Sequence, residues 1–429
     1  MTNDPAVPRL SDENALEPVE LIRQSGAILR TGKAMLASGT GSYRVKTAMQ
    51  QVARSMGVDR HEAHVTLTEI TTTSHRGPIF RTEVAEVRSI GVNSHRLSQL
   101  TDLVNGLRPG ATVDEVNREL DRIEALRPLY PAVMNALFAA VACGAFAYLN
   151  DGGPVEVIGV FLAAGLGQYV RRFFLHRKFN QFGVTMVAAA VACLAYLGFV
   201  LALDVWAGGS GSSHEAGYIS SVLFLVPGFA LVTGALDLAK LDFSAGVART
   251  VYALSILISA ALSVWAISWM TGLSADGTVA AQMPWALQLT LRLVASALGV
   301  LGFALMFNSP LRMALGSAAI GMVANALRLE LRDTGMAIQA ATMIATLVVG
   351  LLAAYVAPRI KVPRITISVP AVVIMVPGVA AYNSVVGLNN GDASVAVTSG
   401  TQAVFVVISI AIGLAAARML TDREWAFER

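Results

Sequence analysis

The chain has 429 residues, of which 55% are hydrophobic and 14% charged, with a net charge of +3 and a mean hydropathy of +0.59. A water-soluble domain carries about 25% charged residues, so this composition excludes a wholly soluble globular protein, and so small a net charge gives no sign of nucleic-acid binding. The two cysteines, Cys143 and Cys193, fall in apolar stretches and read as small hydrophobes, not as a disulfide framework.

Residues 1–17 are polar and read as a disordered N-terminus; acidic residues replace the basic start of a signal peptide, so the segment that follows is expected to stay where it is made. Residues 18–130 read as a small cytoplasmic α/β domain. Helical patterns over 18–38 and 43–56 are broken by Gly39-Thr40-Gly41. Thr-, Val- and Ile-rich runs over His64–Thr73 and Ile79–Ile90, joined by His75-Arg76-Gly77-Pro78, predict a hairpin. Helices over 94–106 and 112–126 follow, the second opened by Thr112 with Glu115 three residues on, a capping box. His61-Glu62-Ala63-His64 lacks the spacing of a zinc-protease helix, and no P-loop or GxGxxG is present. No catalytic residue, metal or cofactor is expected, and the domain reads as a regulatory or assembly module, not an enzyme.

From Pro131 onward, apolar stretches of about 20 residues, the length that crosses a bilayer, predict ten spans. They cover 132–150, 154–171, 181–203, 218–237, 247–270, 284–307, 310–328, 334–357, 365–387 and 396–418. Lys and Arg are held in cytoplasmic loops. With the N-terminal domain inside, the inner loops and tail hold Arg171, Arg172, Arg177, Lys178, Lys240, Arg249, Arg312, Arg359, Lys361, Arg364, Arg418, Arg423 and Arg429, whereas the outer loops hold Arg328 and Arg332. Both termini are therefore expected in the cytoplasm, with residues 421–429 as a tail.

The fourth and ninth spans repeat each other 150 residues apart. Val226-Pro227-Gly228 matches Val376-Pro377-Gly378, followed by Ala230/Ala380, Leu238/Leu388, Asp242/Asp392 and Ser244/Ser394. The membrane part thus divides into residues 131–275 and 276–420, each with five spans. An odd number sends the second half in from the opposite face, so the fold class is a polytopic α-helical protein of ten transmembrane helices in two inverted five-helix repeats. Paired Pro/Gly interruptions in corresponding spans point to a binding site near the bilayer midplane.

Pro227, Gly228, Pro377 and Gly378 are accordingly substrate-site candidates, with Thr233, Tyr382 and Asn383 just beyond the breaks. Thr233 and Asn383 are expected to flank one cavity. Asp237, Asp242 and Asp392 are candidates for proton coupling, although Asp242 and Asp392 equally suit helix caps. Arg292, deep in the sixth span, suits either a substrate carboxylate or a structural ion pair. Asn325 and Glu156 are weaker candidates.

The order of these features resembles the bacterial threonine/serine exporters, in the form that fuses a two-subunit exporter pair. The resemblance rests on Gly41-Ser42-Tyr43-Arg44-Val45 before a helix, the Thr-rich hairpin, Arg127-Pro128 ahead of the first span and ProGly in the fourth and ninth. It implies a secondary exporter of threonine and serine in the inner membrane, driven by the proton motive force. Split relatives resemble dicarboxylate exporters, so a succinate-type substrate is the alternative; a membrane sensor or scaffold is the reading from another class. The expected partners are a small amino acid, protons and the lipid bilayer, with homo-oligomerisation open.

Overall fold

The computed structural model describes residues 19–88, 91–207, 216–271 and 283–426. The expected disorder of 1–17 and the outer loops over 208–215 and 272–282 lie outside the described residues. The chain forms two units, residues 1–91 with 99–126, and residues 92–98 with 127–429. The segment 92–98, expected within the cytoplasmic domain, belongs to the second unit, where Ser94 N–H donates to the Phe307 carbonyl at 2.9 Å.

In the first unit, α1 (Val19–Ala37) and α2 (Ser42–Ser55) pack on one face of an antiparallel sheet, β1 (Arg60–Val65), β2 (Glu69–Arg76) and β3 (Ile79–Glu86), in the order β1-β2-β3. The sequence reading made one strand of His64–Thr73; the chain instead turns at 66–68. Thr66 Oγ1 accepts the amide of Glu69 at 3.1 Å, so a side chain supplies the turn that Gly or Pro ordinarily marks. The turn between β2 and β3 is tighter than expected, with Arg76 paired to Ile79 and Gly77 at φ +57°. Helix α3 (Ser94–Gly106), which joins this unit from Gln99 onward, and α4 (Val113–Glu124) follow. The predicted cap is present: Thr112 Oγ1 accepts from Glu115 N at 3.2 Å. The core gathers Leu21, Ile28, Met49, Val52, Ile70 and Leu120, all buried.

The membrane unit holds α5 (Ala132–Leu149), α6 (Pro154–His176), α7 (Gln181–Ala207), α10 (Phe243–Thr271), α11 (Trp285–Met306), α12 (Leu311–Asp333), α13 (Ile338–Arg359) and α16 (Ala393–Thr421). These eight helices are long and apolar enough to cross a membrane. Two further pairs are bent. The first joins α8 (Ala216–Ser220) and a 3-10 turn, Leu223–Leu225, to α9 (Gly228–Ala239) at 62°; the second joins α14 (Arg364–Val373) to α15 (Gly378–Asn389) at 49°. If each pair is one span, the total is ten. A short α17 (Arg423–Ala426) ends the described chain.

Small residues let these helices touch closely. Ala139, Ala163, Ala188, Ala314, Ala345 and Ala353 are fully buried, and a methyl group on Gly302 would stand 2.6 Å from the Phe138 carbonyl. Several helices extend past the predicted spans, and Arg171, Arg249 and Arg328, at the edges of those spans and counted above with the loop charges, lie inside α6, α10 and α12.

The internal repeat runs further than the sequence match. Helices α6 and α12 are both 23 residues long, starting at Pro154 and Leu311; α7 and α13 start at Gln181 and Ile338, the same 157 residues apart. Helices α9 and α15 have 12 residues each and α10 and α16 have 29 each, now 150 apart. Left-handed turn residues recur in step: Asp151 with Asn308, Lys178 with Gly335, and Leu241 with Gly391.

In the first unit His61 is buried, its ring 3.0 Å from Ser74 Oγ on one nitrogen and 3.0 Å from Thr72 Oγ1 on the other. Burial holds its pKa down to about 4 from 6.5, against a weaker opposing pull from Glu62. The fold therefore keeps His61 neutral, a contribution fully present above pH 6.5 and lost as pH falls through about 4. Chemical denaturation of this unit from pH 7 to pH 4 should show a loss larger in the native sequence than in His61→Gln by roughly 2–3 kcal/mol.

Candidate functional site

Both breaks have one local cause. Pro227 lies at φ −79°, ψ 55° and Pro377 at φ −80°, ψ 59°, and in each case the following glycine amide donates to the carbonyl two residues back at 2.8 Å. These are inverse γ-turns, centred on the residue whose ring already fixes φ near −65°. Each turn stops one helix and starts the next. The amides of Phe229 and Ala230, and of Val379 and Ala380, are then left without an intrahelical acceptor.

The two turns pack against each other reciprocally. A methyl group on Gly228 would meet Val373 Cγ1 at 3.2 Å and Val376 Cγ2 at 3.4 Å; one on Gly378 would meet Leu223 Cδ2 at 2.7 Å and Val226 Cγ2 at 3.0 Å. Residues 223, 226 and 228 correspond to 373, 376 and 378, so each half offers the other the same surface. A Cβ at Gly378 would push Leu223 aside, and one at Gly228 would press on Val373 and Val376, so glycine at both positions favours close approach of the breaks.

Below the first break stands a buried ionic group that the sequence reading did not assemble. Asp237 and Arg249 are 2% and 4% exposed, with Arg249 Nε 3.1 Å from Asp237 Oδ2. Thr233, fully buried, donates to the Phe229 carbonyl at 2.8 Å and accepts from Arg249 Nη1 at 3.4 Å. Asp242 lies within electrostatic reach of the same guanidinium. Arg249 was missed because it sits only two turns into α10 and was counted as a loop charge. A carboxylate late in one span and an arginine early in the next, on the same side, was the available signal.

Past the second break the counterparts differ: Gly387 stands at the place of Asp237 and Ser399 at that of Arg249. Tyr382 is 1% exposed with its hydroxyl buried and unpartnered among the described residues, and the half-buried Asn383 has an unpartnered Oδ1. Asp392 is exposed and accepts the Val395 amide at 3.0 Å, so it is the cap of α16.

Arg292 is not part of either break. Its Nη1 lies 2.8 Å from Glu330 Oε1 and 2.6 Å from Asp333 Oδ2, and Trp285 Nε1 donates to Glu330 at 2.9 Å. This is the structural ion pair of the two readings given above, and it ties α11 to the end of α12. Asn325 donates to Ser296 Oγ at 2.9 Å within the same pair of helices. Glu156 is buried at the start of α6.

A cavity of about 660 Å³ touches the breaks at Val226, Pro377 and Gly378 and continues along α10 and α16, with Thr250 its one polar lining residue. Neither Thr233 nor Asn383, expected to flank one cavity, lines this apolar groove. Its walls suit hydrocarbon, not a charged solute. Among the described residues, no cluster of His, Cys, Asp or Glu could hold a metal ion.

Comparison with known proteins fits these features. The family model ThrE, the threonine/serine exporters, matches residues 27–271, and a second, ThrE_2 (Threonine/Serine exporter, ThrE), matches residues 292–420. The chain is 25% identical over 245 residues to the protein of Escherichia coli strain K12 named "Probable succinate transporter subunit YjjP", covering 57% of this chain and 92% of that one. The protein of that name in Klebsiella aerogenes is 24% identical, covering 55% and 89%. Pheromone-regulated membrane protein 10 of Eremothecium gossypii is 27% identical, over 57% of this chain and 34% of its own length. No solved structure matches. With both halves matched, this multi-pass chain belongs to the threonine/serine exporter family.

Proposed function

We propose that this protein is a proton-driven secondary exporter of small hydroxy amino acids, threonine and serine, working by alternating access in a bacterial inner membrane with both termini cytoplasmic. The observation that carries this reading is the reciprocal contact between the two prolyl γ-turns. A surface that meets its own equivalent implies a two-fold relation between the halves. Five spans per half, an odd number, lay that axis in the membrane plane, the inverted arrangement that lets one midplane site face each side in turn. Removing Arg171, Arg249 and Arg328 from the loop counts leaves the excess of Lys and Arg on the proposed inner side.

The half-helices supply free amides that suit a carboxylate. The Asp237–Arg249 pair is the proposed coupling group. For Asp237 to take up a proton, the guanidinium must leave it, so protonation and opening of the pair become one event. Asp242, in reach of the same arginine, is the residue to which Arg249 would turn. Asp392, occupied as a cap, has no part in this scheme.

The dicarboxylate reading keeps one specific support, the succinate transporter name carried by two relatives that align over most of their own length. Uptake into inverted membrane vesicles separates the two. Labelled threonine and serine should accumulate when the interior is acid, and a protonophore should abolish it; accumulation of succinate alone would establish the alternative. Pro227→Ala and Pro377→Ala should each lower turnover while leaving the amount of protein in the membrane nearly unchanged.

The ion pair has its own signature. Asp237→Asn alone leaves a buried arginine uncompensated and should destabilise the protein by roughly 3–5 kcal/mol, read as a drop in thermal stability in detergent. Asp237→Asn with Arg249→Gln should recover most of that loss yet transport without response to the pH gradient. Normal gradient-driven export by the double variant would remove the pair from the coupling mechanism.

A further inference from the structure

The apolar groove beside the breaks is unequal at its two ends. Near the breaks its walls are matched across the repeat: Leu254 of α10 lines it together with its counterpart Val404 of α16, and Leu257 together with Val407. Farther on the match fails. The groove continues to Ala239 and Met419, at the ends of α9 and α16, whereas their counterparts Asn389 and Trp269 do not line it. It therefore extends toward one membrane face, the one proposed as cytoplasmic. Along α16 it runs from Ala403 to Met419, roughly 24 Å at 1.5 Å per residue, which is more than half of a hydrocarbon core about 30 Å thick. Leu254, Val404, Ile408 and Met419 are exposed as well as lining, so the groove is open sideways to the bilayer.

The end that reaches the surface is basic. Lys240 directly follows Ala239, and Arg418 directly precedes Met419. Both cations lie on one indole: Lys240 Nζ is 4.5 Å and Arg418 Cζ 5.2 Å from the ring centroid of Trp425 in α17. Arg364 Nη1 donates to Thr421 Oγ1 at 2.7 Å, which brings a third cation to the end of α16. In the stretches that meet here, residues 240–242, 364 and 418–423, the cations Lys240, Arg364, Arg418 and Arg423 outnumber the carboxylates Asp242 and Asp422. Basic pockets between helices on the cytoplasmic side suit anionic headgroups, and tryptophan favours the same depth. A hydrocarbon wall that ends in paired cations matches the two-part chemistry of a phospholipid, not that of a polar solute.

We propose that this groove binds one anionic phospholipid of the inner leaflet, its phosphate at Lys240 and Arg418 and one acyl chain laid along α16 as far as the breaks. Because Val226, Pro377 and Gly378 belong to the lining, that chain touches both γ-turns. The site does not depend on which substrate is exported, and lipid binding is testable without transport. The full-length protein, stripped of lipid in detergent, is titrated with phosphatidylglycerol and with phosphatidylcholine of the same acyl chains, and bound lipid is counted by native mass spectrometry. One phosphatidylglycerol should be held roughly 10- to 30-fold more tightly than phosphatidylcholine, as expected of two basic contacts.

Lys240→Gln with Arg418→Gln should erase that preference. Lys240→Gln alone should lower it several-fold and serves if the double variant does not fold. Ile408→Trp, at an exposed position of the wall, should fill the groove and weaken both lipids alike. Equal retention of the two lipids by the unaltered protein, an unchanged preference in Lys240→Gln, or undiminished binding in Ile408→Trp would overturn the proposal. So would disulfide cross-linking of Val404→Cys to a second copy in native membranes, an outcome that makes the groove a subunit interface.

Discussion

Backbone amides and carbonyls cannot be left bare in hydrocarbon, and this demand shapes the membrane unit more than any side chain does. A helix interrupted at mid-depth must settle its backbone groups locally or against protein. The γ-turns at Pro227 and Pro377 settle part of the account with their own hydrogen bond, and Arg328 settles another part at the Met375 carbonyl. The remaining amides at the starts of α9 and α15 have no intrahelical acceptor, and the two breaks pack against each other. Gly228 and Gly378 keep the two breaks close, since a Cβ on Gly378 would stand 2.7 Å from Leu223 Cδ2 and one on Gly228 would press on Val373 Cγ1 at 3.2 Å.

Much of this was legible in the amino-acid order, because span length and Pro/Gly placement are properties of single segments. Eight helices and two broken pairs lie where apolar stretches were read, and the broken pairs are the two that carry ProGly. The extra strand in the N-terminal unit was hidden because the Thr66 hydroxyl, not Gly or Pro, makes the turn. The longer reach of the repeat was hidden for another reason. Its offset changes from 157 to 150 between α7 and α9, so a search at one offset finds only the second part of each half.

The candidate site divides along the same line. Pro227, Gly228, Pro377 and Gly378 needed only local sequence, and the structure brings them together. Arg249 needed knowledge of where helices end; a charge near a span boundary looks like a loop residue until the helix is seen to continue past it. Arg292 was conspicuous for its apolar neighbours, but its partners Glu330 and Asp333 lie 38 and more residues along the chain, beyond what spacing alone assigns. Asp392 kept two readings until the Val395 amide was seen to occupy it.

The repeat has a consequence for the energy landscape of the proposed cycle. Two halves of an inverted repeat with identical backbones and side chains would make the inward and outward forms of the proposed cycle mirror choices of equal free energy. A preference between them comes from where the halves disagree, among other places at Tyr382 against Val232, Asp237 against Gly387 and Arg249 against Ser399. Arginine is kept at both 171 and 328, yet only Arg328 now grips a carbonyl at its break. The exchanged form would have Arg171 reach for Leu225 and Arg328 let go of Met375. The bias of the proposed resting equilibrium would then lie in such unmatched side chains, together with the unequal bends of the two breaks, 62° and 49°.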